Sequence, residues 1–478
     1  MGVLACSSGQ EQSVQIQSEA DLSGHRVATT AGTCYDIDLS QRKDLELHRF
    51  NNNADALQSL LNGVTDVLVE DETVFNSQIR KEYGIKIAFK GTQSFPTAFM
   101  FQKGDAALAQ ACTATQNRMI EDGSMARIKA YWVGEKYADE EHFSHIPEET
   151  EGTPIRVAAA TATAPISFLV ESDWYGLEMD ILRELSRDLH RPLDIKYYDP
   201  ASAILALKSG LVDVVSGGVF ITPEREQEFL FSEPYHAFHS AFFVVDTEAS
   251  RDSGGVLQAL KKSIRRNLLT EKRWVYIVQG LWETLKISFL AILLGSVLGV
   301  GLYAMARSRR KWVRSAASLY NGFIAGIPEL VLLLILFYVV FAGSGLPPDL
   351  VAVVSFALCF ASGASDIYAT SLDAIPYGQT EGGLALGFTH RQTFFHIVFP
   401  QALRRGLPLY KAQCVSILKG TSIVGYIAIQ DLTRAGDIIR SRTFDALVPL
   451  LLVTIIYFLL VWLIGLLLKL AMPSKKVL

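Results

Sequence analysis

Covalent catalysis leaves recognisable spacings, and this 478-residue chain has none of those sought: no GxxxxGK[ST] phosphate loop, no HExxH, no GxSxG and no CxxC pair. Its five cysteines, Cys6, Cys34, Cys112, Cys359 and Cys414, stand singly. Cys359 and Cys414 fall in apolar segments, where a thiol packs as a small hydrophobe. Neither a catalytic residue nor a metal-ligand set is expected, and the chemistry left is recognition. Residues 380–404, TEGGLALGFTHRQTFFHIVFPQALR, read as two short helical patterns joined at Gly387. Their apolar residues Leu384, Leu386, Phe388, Phe394 and Phe395 exceed what a solvated loop needs, which predicts a docking surface.

The elements that must hold this stretch are apolar. Half of all residues are hydrophobic, and the excess is unevenly spread. Before residue 277 the chain has 27 Lys+Arg and 40 Asp+Glu, a net of −13; from 277 onward it has 17 and 9, a net of +8. An acidic module joined to a basic apolar half is the pattern of a membrane protein with a water-side domain. A bilayer core takes roughly 20 apolar residues per helix. Five segments qualify: about Thr284–Ala306, Asn321–Gly343, Leu350–Thr370, Leu407–Tyr426 and Ala446–Leu470. The loop RSRRKWVR and the terminal KK suit the cytoplasm, and GSGLPPD lacks positive charge as an outer loop should. The stretch LKKSIRRNLLTEKRW and Arg434, Arg440 and Arg442 are equally basic, so charge alone does not decide orientation. Five crossings would put the N-terminal half and the C-terminus on opposite faces. The region 249–276 reads as a basic amphipathic linker helix along the headgroups.

Across about residues 277–470 the sequence resembles the permease subunits of ATP-binding-cassette importers for polar amino acids. That family's loop runs E-A-A, then Gly, then I-x-x-P; Glu381, Gly387, Ile397 and Pro400 fit, and Gln401-Ala402-Leu403-Arg404 extends the match. Upstream SDIYATSLDAIPYGQ, downstream ILKGTSIVGYIAIQDL and GIPELVLLLILFY in the second span fit the same family. The resemblance implies an all-α five-helix transmembrane domain, 277–478, with a cytoplasmic coupling loop at about 373–405 that enters a groove of the ATPase subunit. Glu381, Gly387, Phe388, Ile397 and Pro400 would be the docking residues. Residues 1–276 would then lie outside. The alanines of E-A-A are Gly382 and Gly383 here, each worth about 1 kcal/mol of lost helix stability, so the coupling helix is expected to start late or flex.

Residues 154–248 alternate apolar strands with helical patterns (IRVAAA, GLEMDILRELSRDL, LDIKYY, ASAILALKSG, VDVVSGG), which predicts a parallel sheet covered by helices. With LKSGLVDVVSGGVFITPEREQEFLFSEPY they resemble the first lobe of periplasmic solute-binding proteins for amino acids. Residues 21–140 resemble the second lobe and the helix that returns to the first, through LSGHRVATTAGTCYD, ALQSLLNGVTDVLVEDETVF and QNRMIEDGSMARIKAYWVG. The order is second lobe, linker 141–153, first lobe: one α/β two-lobed domain, circularly permuted, or else a remnant of two tandem domains. Cys34 and Cys112 would sit in different lobes as free thiols. Residues 1–20 hold VLAC, similar to a bacterial lipidation site at Cys6; either the chain begins downstream of its natural start or the match is fortuitous.

In the solute-binding family, the Arg of a TPER-like motif grips the ligand carboxylate and an Asp ending a second-lobe strand takes the ammonium. Those positions are Arg225 and Asp71, with Thr222 in the same motif, Gly218 supplying backbone groups and Thr33 heading an anion-favouring helix N-terminus. Phe220 stands where the family usually has a hydroxyl, and Thr163 and Pro200 replace the aromatic residues that often sandwich the ligand. The reading is a substrate-binding and permease subunit in a bacterial inner membrane, with its solute-binding domain outside and its C-terminus in the cytoplasm. Its partners would be an ATPase dimer that carries the ATP and Mg, a second copy of itself or a related permease, and an amino-acid ligand; no nucleic acid and no cofactor of its own are expected. The rival is a ligand-gated channel or membrane sensor, for which an ATPase-docking loop has no use.

Overall fold

A computed structural model describes residues 16–471, apart from 135, 140–145, 148, 171–172 and 248–255; Cys6 lies outside the described residues. The chain divides into two compact units. The first takes in residues up to Pro200, Asp213–Thr270 and Arg440–Ala446; the second takes in Ala201–Val212, Glu271–Ile439 and the chain from Leu447 onward.

Two five-stranded sheets organise the first unit. One is built from β1 (Arg26–Thr30), β2 (Glu46–Phe50), β3 (Val67–Asp71) and β4 (Ile85–Thr97). The other uses β5 (Met100–Gln102), β6 (Ile155–Ala159), β9 (Leu193–Tyr197), β10 (Val214–Ser216) and β11 (Phe229–Phe231), with a hairpin of β7 (Phe168–Val170) and β8 (Asp173–Tyr175) beside them in sequence. The last strand, β12 (His236–Val245), returns to the first sheet. The orders are β2-β1-β3-β12-β4 and β9-β6-β10-β5-β11. Position for position they match, and each sheet takes its fourth strand from the other half of the chain.

These exchanged strands explain a departure from the expected parallel sheet. β1 is parallel to β2 and β3, and β6 to β9 and β10, but β12 runs antiparallel to β3 and β4, and β5 to β10 and β11. A strand entering directly from the other sheet arrives running the opposite way. The two crossings lie side by side: Tyr235 N donates to Thr97 O at 3.1 Å and Ser232 N to Phe99 O at 3.0 Å.

The pleat sorts the first sheet's core. Val27, Val67, Val69 and Phe242 face one side with Tyr35 and Leu39. Ala28, Leu68, Ala241 and Phe243 face the other with Leu57, Leu60 and Phe75. β3 is buried along its whole length, Glu70 and Asp71 included.

Helices build the second unit. Among the described residues three are long and apolar enough to cross a membrane: Trp274–Ala306, Pro348–Asp373 and Leu447–Leu468; two bent pairs bring the number to five if each pair is one span. The expected continuous helix over 321–343 is broken. Lys311–Gly326 and Glu329–Val340 meet at 106°, because Pro328 carries no backbone N–H and holds Ile327 extended (φ −109°, ψ 130°). The expected span at 407–426 belongs to a helix that already starts at Phe399 and ends at Gly420, followed by a 3-10 turn over Thr421–Ile427. Trp274–Ala306 and Pro348–Asp373 approach closely through glycine: a Cβ on Gly295 would stand 2.7 Å from Phe360 Cβ, and one on Gly299 2.7 Å from Ala364 Cβ. Small residues at helix contacts are what apolar surroundings favour.

Candidate ligand cleft and docking loop

Asp71 closes β3, and its carboxylate is almost fully buried. Thr73 donates to it through its backbone N at 2.7 Å and through its hydroxyl, and Tyr35 donates its phenol at 3.2 Å. Burial nevertheless pushes the Asp71 carboxyl up to about 7, against those hydrogen bonds, and the neighbouring Glu70 is likewise pushed up to about 7, first by burial. Among the described residues no cation pairs with Asp71.

Arg225 sits in the helix Pro223–Glu228, which forms because Thr222 caps it (Thr222 Oγ1 accepts Arg225 N at 3.3 Å) and Pro223 opens it. The guanidinium donates to the Phe220 carbonyl at 3.0 Å. It forms no ion pair with Glu224, Glu226 or any other carboxylate among the described residues. Burial lowers its pKa, and the Cys34 thiol, in the helix Cys34–Leu39 of the other sheet's chain segment, is the titratable neighbour it feels. Cys34 and Cys112 are both free and buried.

Three rings join the two halves here. Tyr35 and Phe95 lie 5.2 Å apart edge-on, Tyr35 and Phe220 5.9 Å, and Phe95 and Phe220 6.1 Å. Phe220, which also bridges Thr97, packs against the first sheet's core. The aromatic residues of this cleft are therefore not at Thr163 and Pro200. Thr163 is buried and bridges Ser167, and Pro200 starts the helix Pro200–Lys208.

Two expected anion-binding groups are already engaged. Gly218 N donates to Glu178 at 2.7 Å, Gly217 N donates to the same carboxylate, and Tyr235 closes the cluster with its phenol. Thr33 caps its short helix by accepting Asp36 N at 3.2 Å, while Asp36 itself takes the Gly32 amide at 3.0 Å. Glu178, fully buried and pushed up to about 7 chiefly by burial, was not singled out from the sequence. The signal available was an acid in the first turn of an amphipathic helix (Leu177–Leu189) directly after Gly176, on a face that is buried throughout.

The 380–404 stretch folds as a knob. The helix Gly378–Ala385 runs through both glycines, so it does not start late. A Cβ on Gly383 would meet Thr393 Cγ2 at 2.6 Å and Ile397 Cδ1 at 2.9 Å, whereas one on Gly382 would meet nothing within 4 Å. Gly387 turns the chain at φ +86°, a conformation that favours glycine. Thr389 and Gln392 then form a capping box, and the helix begun at His390 continues into Phe399–Gly420, with Pro400 in its first turn. Glu381 is exposed, and Gln401 ties the base by donating to Gln379 at 3.0 Å. Tyr377, Leu386 and Phe395 are 74, 78 and 61% exposed, Phe388, Phe394 and Phe399 are exposed as well, and the Phe394, Phe395 and Phe399 rings lie 5.1 to 6.3 Å apart.

Residues 291–476 match the profile of binding-protein-dependent transport system inner membrane components. The L-cystine transport system permease protein TcyB of Bacillus subtilis (strain 168) is 32% identical over 188 residues, covering 39% of this chain and 80% of that protein. The chain belongs to this permease family. The glutamate/aspartate import permease protein GltK of Escherichia coli O6:H1 is also 32% identical, over 38% of this chain and 86% of its own. A solved amino acid ABC transporter with histidines is 29% identical over 46% of this chain and 97% of its own, with a TM-score of 0.39. The permease is fused to a solute-binding domain: residues 155–371 match bacterial extracellular solute-binding proteins, family 3. That match overlaps the permease match over 291–371, which is almost wholly helical in the structure. Permeases of this family work with a separate ATP-hydrolysing subunit, and this chain is a transport component and not itself an enzyme.

Proposed function

We propose that the chain captures a polar amino acid outside the membrane and passes it through its own helices, powered by the partner ATPase. The carrying observation is an unmatched pair of ionisable groups, half-buried Arg225 from one half of the binding unit and buried Asp71 from the other. A zwitterion presents the complementary carboxylate and ammonium, and satisfies both at once. The named cargoes of TcyB and GltK support amino acids as the class. Thr222 and Thr33 act as helix caps for the site, and Gly218 serves it through the Glu178 cluster. In this reading the domain is one circularly permuted unit, with β1–β4 and β12 as the second lobe; the equal strand order of the sheets supports it.

Counting each bent pair as one span gives five crossings. Arg440–Ala446 belongs to the same unit as the binding sheets, so it lies on the same face of the membrane. One span separates it from the knob at 373–405, which therefore faces the cytoplasm, as does the C-terminus. Glu381, Gly387, Phe388, Ile397 and Pro400 shape the surface offered to the ATPase, which holds ATP and Mg; a second copy or a related permease completes the pathway. The test is calorimetry on the full chain in nanodiscs with a panel of L-amino acids that includes L-cystine. Arg225→Ala should cost about 2–5 kcal/mol, the loss seen when one partner of a desolvated pair goes, or tens- to thousands-fold at about 1.4 kcal/mol per decade. Unchanged affinity would overturn the clamp.

A further inference from the structure

The stretch Arg440–Ala446 ends the helix Leu432–Thr443 and leads into the helix Leu447–Ala471, yet it is part of the binding unit. Its sequence, RSRTFDA, carries a single large apolar residue, Phe444, and that residue is 3% exposed. Phe444 joins the core cluster on one face of the first sheet, 5.0 Å from the Phe75 ring. It does so with φ +54°, a left-handed conformation where a helix end normally carries glycine. Polar contacts hold the backbone on both sides: Tyr83 donates to Thr443 O at 2.5 Å and Gln58 to Phe444 O at 3.1 Å. Arg440 pairs with Asp55, and Asp445 accepts from Asn267 at 2.7 Å and Arg266 at 2.9 Å. Arg442 reaches the other half: its guanidinium lies 4.0 Å from the centre of the Phe168 ring in β7.

We propose that Arg440–Ala446 couples the binding domain to the last helix: the β1–β4 half is fixed on Phe444, and Arg442 reads the position of the β6–β11 half through Phe168. Neither residue belongs to the ligand cleft or to the docking knob. An unanchored surface turn would not bury its one aromatic in a strained conformation and place a cation on a ring of the opposite half. Closure of the halves around a ligand changes the Arg442–Phe168 contact, and the covalent neighbour of this segment, Leu447–Ala471, is a membrane helix. Arg442 is thus a positioning residue. The inference rests on the importer reading, and its test separates the two.

The full chain in nanodiscs, without ligand, is examined by hydrogen exchange. Amides of 440–446 should exchange as slowly as those of β3, and Phe444→Ala should speed both by roughly tenfold or more while leaving the Trp274–Ala306 helix unchanged. With the co-purified ATPase and the amino-acid panel, Arg442→Ala should keep ligand affinity within about twofold and basal ATP hydrolysis unchanged. It should cut ligand-stimulated hydrolysis by roughly fivefold or more, and Arg442→Lys should recover part of it, since an ammonium also sits over a ring. Fast exchange at 440–446 in the unaltered chain, or full stimulation in Arg442→Ala, overturns the coupling. If no amino acid stimulates any version, the importer reading falls, and exchange alone still decides the anchor.

Discussion

In the proposed clamp, Asp71 meets two opposing demands. To hold an ammonium it must be ionised, yet burial lifts its pKa to about 7, with a smaller like-charge push from Glu72. Ligand binding should then release a proton below about pH 7. Affinity should rise as pH goes from about 6 to about 8, and calorimetry in buffers of different ionisation enthalpy should detect the proton. Asp71→Asn should weaken binding and flatten the pH dependence, whereas Glu178→Gln should leave the released proton in place. The sign for stability is the reverse. Asp71, Glu70 and Glu178 have folded pKa values raised above their unfolded ones, so their contribution is complete below about pH 4 and is lost as pH climbs through about 7. Without ligand the binding unit should melt at a lower temperature at pH 8 than at pH 5.

Among the elements, the knob offers the sharpest contrast between neighbouring residues. Gly382→Ala adds a Cβ in open space and should gain up to about 1 kcal/mol of helix stability, with ATPase association kept. Gly383→Ala drives its Cβ against Thr393, whose branched side chain has little freedom to move, and against Ile397. It should loosen the knob and weaken ATPase capture in a pull-down from membranes, as should Gly387→Val at φ +86°. If Gly383→Ala captures ATPase as well as Gly382→Ala does, the packing at Thr393 is not what holds the surface. The knob was readable in advance because its signals are local: Gly387 at the turn and apolar residues where a loop needs none. The strand order was not. β5 is only three residues, and β5 and β12 find partners in the opposite half, which no local period encodes. Glu178 and the Tyr35–Phe95–Phe220 contact were missed for the same reason, as their partners come from distant parts of the chain.

For the whole molecule, Phe444 sets a limit on where the binding domain ends. Read from sequence, residues 21–248 look self-sufficient: two lobes, joined by a linker, that complement each other without overlap. In the structure the face of the first sheet that carries Phe75 and Phe243 is completed by a residue almost 200 positions further on, between the helices Leu432–Thr443 and Leu447–Ala471. A fragment of residues 21–248 leaves that face open. Losing a buried Phe side chain costs about 3–5 kcal/mol where the site cannot collapse, a large fraction of the roughly 5–15 kcal/mol that keeps a domain folded. The fragment should therefore unfold at a lower denaturant concentration than one extended through Thr270 and given a synthetic peptide of residues 438–448. That peptide should raise the midpoint with the logarithm of one plus its concentration over its dissociation constant. The same peptide with Phe444→Ala should shift the midpoint far less, since it keeps the Arg440 and Asp445 pairs but loses the ring that completes the sheet's core. A fragment 21–248 as stable as the extended one, with no response to either peptide, would show that the sheet closes over Phe75 unaided and that the fused chain gains nothing in stability from Phe444.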